Sequence, residues 1–243
     1  MKFAIVVGCA LAGALGTSCG DIHVVPADGG AGKSGGAGGG GGNAVGAAGT
    51  GSAGAASTGS AGEGGAACRR ELLTNGDFDL GASAWSEAPL GTRLVRKFDD
   101  AEVASHQVTP QSGLYVLRLG APSTNNYVVH YIEQYASIPS GALEVTISGQ
   151  LQVRTDEPPD DVYDEAYVQL SDEALPASPF FRSAPRWSNL THASGWTPFS
   201  FVVNVASVAG KQLVFRIVAE LDTSVPTYFY FDTLSVGVTR CSP

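Results

Sequence analysis

Basic side chains are scarce in this chain of 243 residues, which carries 14 Lys plus Arg against 23 Asp plus Glu and a net charge of -9. Nucleic-acid binding needs a basic surface that neutralises phosphates, so this balance argues against a nucleic-acid partner. It also argues against an electrostatic grip on anionic lipid. A link to a membrane would therefore have to be covalent or hydrophobic.

Catalytic motifs are also missing from the sequence. It has no Gly-x-Ser-x-Gly nucleophile elbow, and its four histidines are scattered without metal-ligand spacing. The densest carboxylates lie in TDEPPDDVYDE, residues 155–165. Paired carboxylates serve glycoside hydrolysis, but a loop broken by two prolines is a poor rigid mount for them. We interpret this segment as a solvated loop, with a second cation site as the alternative, and predict that the protein is not an enzyme.

An apolar run at residues 3–16 follows Met1-Lys2 and has the length of a signal peptide, too short to span a bilayer. Small residues then precede Cys19 in LGTSC, which resembles a bacterial lipobox. The resemblance implies a signal peptide over 1–18 and a lipid on Cys19. It also implies an exported protein anchored in a bacterial cell envelope, on the periplasmic or extracellular face. A rival lipobox ends at Cys9 but leaves too short an apolar run, and ordinary secretion is the remaining alternative.

Glycine dominates the segment that follows, with 18 glycines in the 37 residues from Gly29 to Gly65. Because so few apolar side chains cannot offset the entropy of ordering, residues 19–67 are predicted to form a lipidated, disordered linker. If Cys9 leaves with the signal peptide and Cys19 carries lipid, only Cys68 and Cys241 remain. An exported protein favours a disulfide between them, and two unpaired thiols are the alternative.

Alternation of apolar and polar residues begins after Cys68 and indicates half-buried strands. The clearest runs are 143–153, 199–205, 213–221 and 228–238, with shorter candidates at 114–119, 127–135 and 166–171. The sequence contains no sustained apolar stripe with a period of 3.6 residues, so no helix is predicted. Many strands separated by turn residues predict an all-β protein, a jelly-roll β-sandwich over residues 68–243.

Four short motifs resemble those of the carbohydrate-binding jelly rolls attached to many bacterial cellulases and xylanases, which belong to the galactose-binding-like fold. They occur in family order as LTNGDFD (73–79) followed by Trp85, SGLYVLR (112–118), WTPF (196–199) and YFDTL (230–234). Asp79 stands where the family usually has Glu. The resemblance covers residues 68–239 and implies non-catalytic carbohydrate binding. Phe78 and Trp85 are expected to anchor the core.

Asp232 lies on the inward phase of an apolar strand, and a buried carboxylate needs a partner. The resemblance implies a structural calcium held by carboxylates of the first and last strands, with Asp79, Asp232 and Asp77 as candidate ligands and carbonyl oxygens near Gly113 completing the shell. The alternative is that Asp232 accepts hydrogen bonds from neighbouring backbone N–H groups without a metal.

Sugar-binding clefts use aromatic faces to cover sugar rings and polar groups to bind hydroxyls. The predicted ligand-binding residues are Trp187, Tyr131, Tyr163, Arg186 and Tyr228, with Tyr127 and Tyr167 as further candidates. Trp187 lies in the loop-like stretch PFFRSAPRWSN (179–189), with Arg182 and Arg186 beside it, and covering one end of the sandwich is its alternative role. The predicted function is glycan binding at the envelope; a structural or adhesive module that binds a protein is the alternative.

Overall fold

The computed structural model describes residues 68–120, 127–184, 186–191, 195–223 and 225–242. The predicted signal peptide, the lipidation site Cys19 and the Gly-rich linker lie outside these residues. No helix within the described ranges has the length and apolar character that crossing a membrane requires.

Eleven strands of the described residues form two antiparallel sheets packed as a jelly-roll β-sandwich. Sheet I has the order β1-β4-β10-β6-β7, with β8 also paired to β6, and sheet II has the order β2-β3-β11-β5-β9. The strands of sheet I are β1 Ser86–Ala88, β4 Val128–Ser137, β6 Glu165–Asp172, β7 Pro179–Arg182, β8 Trp187–Ser188 and β10 Gln212–Leu221. Those of sheet II are β2 Val95–Lys97, β3 Tyr115–Leu119, β5 Ala142–Thr155, β9 Thr197–Asn204 and β11 Thr227–Cys241.

The core lies between the two sheets and is built by the alternation that the sequence shows. Ile217 of β10 is fully buried and lies opposite Ile132 of β4 and Val168 of β6. Ile147 and Phe231 fill the facing side from sheet II. All seven predicted strand segments are present, and each places a row of apolar residues on the inward face of its sheet.

The first motif of the sequence closes one end of this core. Phe78 is fully buried and its ring lies 5.6 Å from that of Trp85, which confirms the expected anchoring role. Asn75 adopts a positive φ of 56° and its side chain accepts a hydrogen bond from the N–H of Leu80. Gly76 lies so close to β11 that an added Cβ would come within 1.9 Å of the carbonyl oxygen of Leu234.

Helical turns were not predicted, and two short ones lie between residues 100 and 210 of the described chain. The helix α1, Ala101–Ser105, begins where the Asp100 carboxylate accepts a hydrogen bond from the N–H of Glu102. A 3-10 turn spans Ala206–Val208. Both are too short to produce the sustained apolar periodicity by which a helix is recognised in sequence.

Two segments interpreted as loops contain ordered features. The stretch 179–189 forms β7 and β8, both paired with β6, because Phe181 and Trp187 turn toward the core. In the acidic segment 155–165, Asp164 is buried and accepts hydrogen bonds from the N–H groups of Asp222 and Thr227. Burial raises the pKa of the Asp164 carboxyl. This carboxylate therefore joins two loops rather than facing solvent.

Cys68 and Cys241 form the predicted disulfide, with their Cα atoms 6.1 Å apart. The bond joins the first described residue to the end of β11. Glu71 adds an isolated β-bridge to Gly237 beside it. The two ends of the domain are thus held together at the C-terminal end of β11, the central strand of sheet II.

Candidate functional site

The outward face of sheet I carries an open trough of about 210 Å³ over β4, β10, β6 and β7. Val129 and Val218 form apolar parts of its floor, and the segment Pro176–Pro179 forms one wall. Its polar lining comprises Tyr131, Tyr167, Gln169, Arg182 and Arg216.

Strand register explains why these side chains meet. Val218 of β10 pairs with Tyr131 of β4 on one side and with Tyr167 of β6 on the other. Two residues earlier on β10, Arg216 pairs with Glu133 of β4 and with Gln169 of β6. Since residues two apart on a strand face the same way, the two rows lie side by side on the outward face.

Guanidinium groups cover the tyrosine rings of the trough. The Arg216 guanidinium carbon lies 5.0 Å from the centre of the Tyr131 ring. The corresponding distances from Arg182 and Arg186 to the Tyr167 ring are 4.6 Å and 4.7 Å. Such cation–π contacts hold the arginines over the floor. A ligand entering the trough therefore meets hydrogen-bond donors as well as aromatic surface.

Tyr167 is nearly buried and donates a hydrogen bond of 2.7 Å to the Glu220 carboxylate. Burial, reinforced by that carboxylate, raises the pKa of the Tyr167 hydroxyl to about 12. The hydroxyl therefore stays protonated at neutral pH and fixes the ring in the floor.

Acidic side chains border the trough, and arginines neutralise them. Glu133 pairs with Arg216 at 2.5 Å, and Glu165 pairs with Arg186 at 2.7 Å. Arg186 also lies 3.6 Å from Glu220. Predicted residues Tyr131 and Arg186 thus belong to one face of sheet I, Tyr131 in the trough and Arg186 at its margin.

Tyr228 lies elsewhere, in a pocket of about 470 Å³ on the outward side of sheet II, which we call the side pocket. Its ring centre is 4.4 Å from that of His106. His106 also lies 2.5 Å from the Tyr230 hydroxyl, and burial lowers the pKa of its imidazole. Arg154 donates to the His106 carbonyl. Within the side pocket, His106 thus contacts both Arg154 and Tyr228.

Trp187 is half-buried and its ring packs against those of Phe199 and Phe231, with centres 4.8 Å and 5.5 Å away. This arrangement agrees with the alternative role, in which Trp187 covers the core. Tyr163 lies in the 155–165 segment, where its hydroxyl donates to Asp160, and it lines neither the trough nor the side pocket.

The predicted calcium ligands gather beside the loop that precedes β3. Asp232 is fully buried and accepts hydrogen bonds from the N–H groups of Gln111 (2.6 Å), Ser112 (3.2 Å) and Thr233 (2.6 Å). Its pKa is raised by burial, against the effect of these donors. Since both of its oxygens are occupied, Asp232 fits the alternative in which it binds backbone N–H groups.

Asp79 and Asp77 are exposed at the same corner. The Asp79 carboxylate lies so close to Gly113 that an added Cβ there would come 1.5 Å from its Oδ1 atom. Within the described ranges, no three or more His, Cys, Asp or Glu side chains are grouped so that they could hold a metal ion. Calcium held by Asp79, Asp77 and Asp232 stays a prediction.

Gln169 and Arg216 were not singled out in the sequence. Each lies between two apolar residues of its strand that face the core, so the sequence pattern already predicts that its side chain points outward. What periodicity did not show is that β4, β6 and β10 are neighbours, because that depends on the order of strands in the sheet.

No protein-family model and no curated protein matches the sequence. Similar solved structures include TmCBM61 in complex with β-1,4-galactotriose, at 13% identity and a TM-score of 0.46 over 70% of this chain and 99% of that chain. The CBM22-1 xylan-binding domain of Xyn10C from Paenibacillus barcinonensis is 12% identical, with a TM-score of 0.42 over 72% and 98%.

A Stig cyclase, Fisc from Fischerella sp. TAU, is also similar, at 11% identity and a TM-score of 0.49 over 72% of this chain and 100% of that chain. Carbohydrate-binding modules, the class that the sequence motifs resemble, thus occur among the similar structures beside a cyclase. At these identities and TM-scores the matches carry no function across to this chain.

Proposed function

We propose that the protein is a non-catalytic glycan-binding module and that the trough of sheet I is its binding site. The observation that carries the proposal is the row of Tyr131, Val218 and Tyr167 across the outward face of sheet I, in which Tyr131 is half-buried and the exposed Arg182 lies over the Tyr167 ring. The outward residues from Val129 to Tyr135 extend this face along β4 by roughly 20 Å at the usual rise of a strand. An elongated open surface suits a polymer chain.

The chemistry of the trough fits sugar recognition. A sugar ring presents an apolar face and a rim of hydroxyls. Tyr131 and Val129, which keep exposed surface, can contact the face, while the guanidinium groups of Arg182 and Arg216 can bind hydroxyls. The side pocket has the larger volume, but its His106 and Arg154 already bond within the fold.

Replacing Tyr131 with Ala should weaken glycan binding by about tenfold or more. The substitution removes the aromatic ring that contacts Arg216 and forms part of the bottom of the trough. Binding of the full chain, purified in detergent, is measured by affinity electrophoresis and by pull-down with insoluble polysaccharides. Tyr163→Ala is the matched control, since Tyr163 lies outside the trough, and it should change the affinity by less than about twofold.

Unchanged binding of Tyr131→Ala, with a folded protein by circular dichroism, would exclude the trough as the site. If the wild-type chain binds no glycan in the panel, the carbohydrate hypothesis fails. A protein partner would then become the next hypothesis.

We also propose that Cys19 carries a lipid that anchors the module in a bacterial cell envelope. The LGTSC motif after an apolar segment supports this, and the net charge of -9 leaves little scope for electrostatic attachment to anionic lipid. Cys19→Ser should abolish labelling by radioactive palmitate and move the expressed protein from the detergent phase to the aqueous phase. Cys9→Ser should leave both unchanged. Labelling that survives Cys19→Ser would contradict this assignment.

A further inference from the structure

The residues that line the trough include two arginines and no carboxylate, although the chain as a whole has a net charge of -9. A site for neutral sugars needs hydrogen-bond donors and acceptors but no net charge. The bordering Glu133, Glu165 and Glu220 balance the arginines of this face in number, so the charge available to a ligand depends on which arginine has no carboxylate partner.

The arginines on this face are not equivalent. Arg216 is neutralised by Glu133, and Arg186 is shared between Glu165 and Glu220. Arg182 lies on β7, is exposed, and contacts the Tyr167 ring through its guanidinium group. Among the ion pairs of the described residues, none includes Arg182.

The ring contact also orients Arg182. Tyr167 is fixed by its hydrogen bond to Glu220, and the Arg182 guanidinium lies 4.6 Å from the centre of that ring. A guanidinium held in this way loses little side-chain entropy on binding, and its planar donors match both oxygens of a carboxylate. Gln169 pairs with Arg182 across β6 and β7 and supplies an amide beside it.

We propose that the trough is specific for acidic polysaccharides and that Arg182 binds the carboxylate of a uronic acid residue. The inference rests on the proposed function, because it assigns a ligand class to the same trough. In the bound state the uronate is the negative partner that Arg182 does not find within the described part of the protein.

The test compares one polymer in two charge states. Full-length protein is titrated with polygalacturonate, and with the same polymer after its carboxyl groups have been reduced to alcohols. We expect the acidic form to bind at least about tenfold more tightly at low salt, with the difference shrinking as salt is raised. Alginate and its carboxyl-reduced form serve as a second pair.

Three variants connect this preference to Arg182. Arg182→Gln should abolish the difference between the two forms, while Arg182→Lys should retain part of it because the charge remains. Arg240→Gln is the control, since it removes the same charge from an exposed arginine of β11 on the other sheet and should leave the preference intact.

The outcomes separate this inference from the proposed function. Equal binding of both polymer forms, or a preference that survives Arg182→Gln, would overturn the uronate assignment while glycan binding in the trough stands. If neither form nor any neutral polysaccharide binds, the proposed function itself fails.

Discussion

Removing the Cys68–Cys241 disulfide should lower the free energy of unfolding by about 5 kcal/mol. The bond spans a sequence separation of 173 residues, and the loss of chain entropy on closing a loop rises with its length. Since a domain is typically stable by only about 5–15 kcal/mol, this one bond accounts for a large share of the total. The unfolding temperature should fall by roughly 10–20 °C, at 2–4 °C per kcal/mol for a domain of this size.

Thermal and urea unfolding of the Cys68→Ser/Cys241→Ser double variant measures this effect. Wild-type protein treated with reductant should unfold at the same temperature as the double variant. Cys9→Ser and Cys19→Ser are the controls, and both should respond to reductant as the wild type does. Coinciding unfolding curves for wild type and double variant would show that the bond contributes nothing in solution.

Asp232→Asn should destabilise the fold by about 3 kcal/mol or more. In the wild type, backbone N–H groups donate to both carboxylate oxygens, whereas in the variant an amide N–H₂ group, itself a donor, would face some of them. Those donors are the N–H groups of Gln111, Ser112 and Thr233, and Asp232 itself is fully buried. Urea unfolding measures the change. Asp77→Asn makes the same chemical change at an exposed position of the same corner and should cost less than about 0.5 kcal/mol.

Repeating these measurements with calcium and with a chelator separates the two roles of the corner. The Asp232→Asn effect should persist in chelator, because its partners are N–H groups rather than a metal. A calcium-dependent rise in the unfolding temperature of wild type, lost in Asp79→Asn, would place calcium at Asp79 and the main-chain oxygens around Gly113. A cost for Asp232→Asn that vanishes in chelator would contradict the backbone role.

Strand positions were predictable here because burial imposes a period of two on each sheet. Val145 and Ile147 reveal their inward direction through their polar neighbours, whatever the order of the strands. The short elements could not be predicted in this way. Strand β8 has two residues and α1 has five, so neither repeats long enough to show a period.

The site depended on information that periodicity does not carry. Tyr131 and Arg186 were predicted from residue type and lie on the face of the trough, whereas Trp187, predicted on the same grounds, packs into the core. The type of a residue indicates which contacts its side chain is able to make. The order of the strands in the sheet determines which of those contacts form. Arg216 meets Tyr131 only because β10 lies next to β4, although they are far apart in sequence.

The position of the disulfide also determines how the domain carries force. A pull on the chain before Cys68 passes through the bond to Cys241, at the end of β11. That strand is central in sheet II and is hydrogen-bonded to β3 and β5, so the load is distributed over many bonds that lie across the pulling direction. Without the bond, the same pull would act on the isolated bridge between Glu71 and Gly237 and peel the first residues away one by one. If Cys19 anchors the chain as proposed, a pull from the tether reaches the domain through this central strand, and we expect the sandwich to keep its shape under that load.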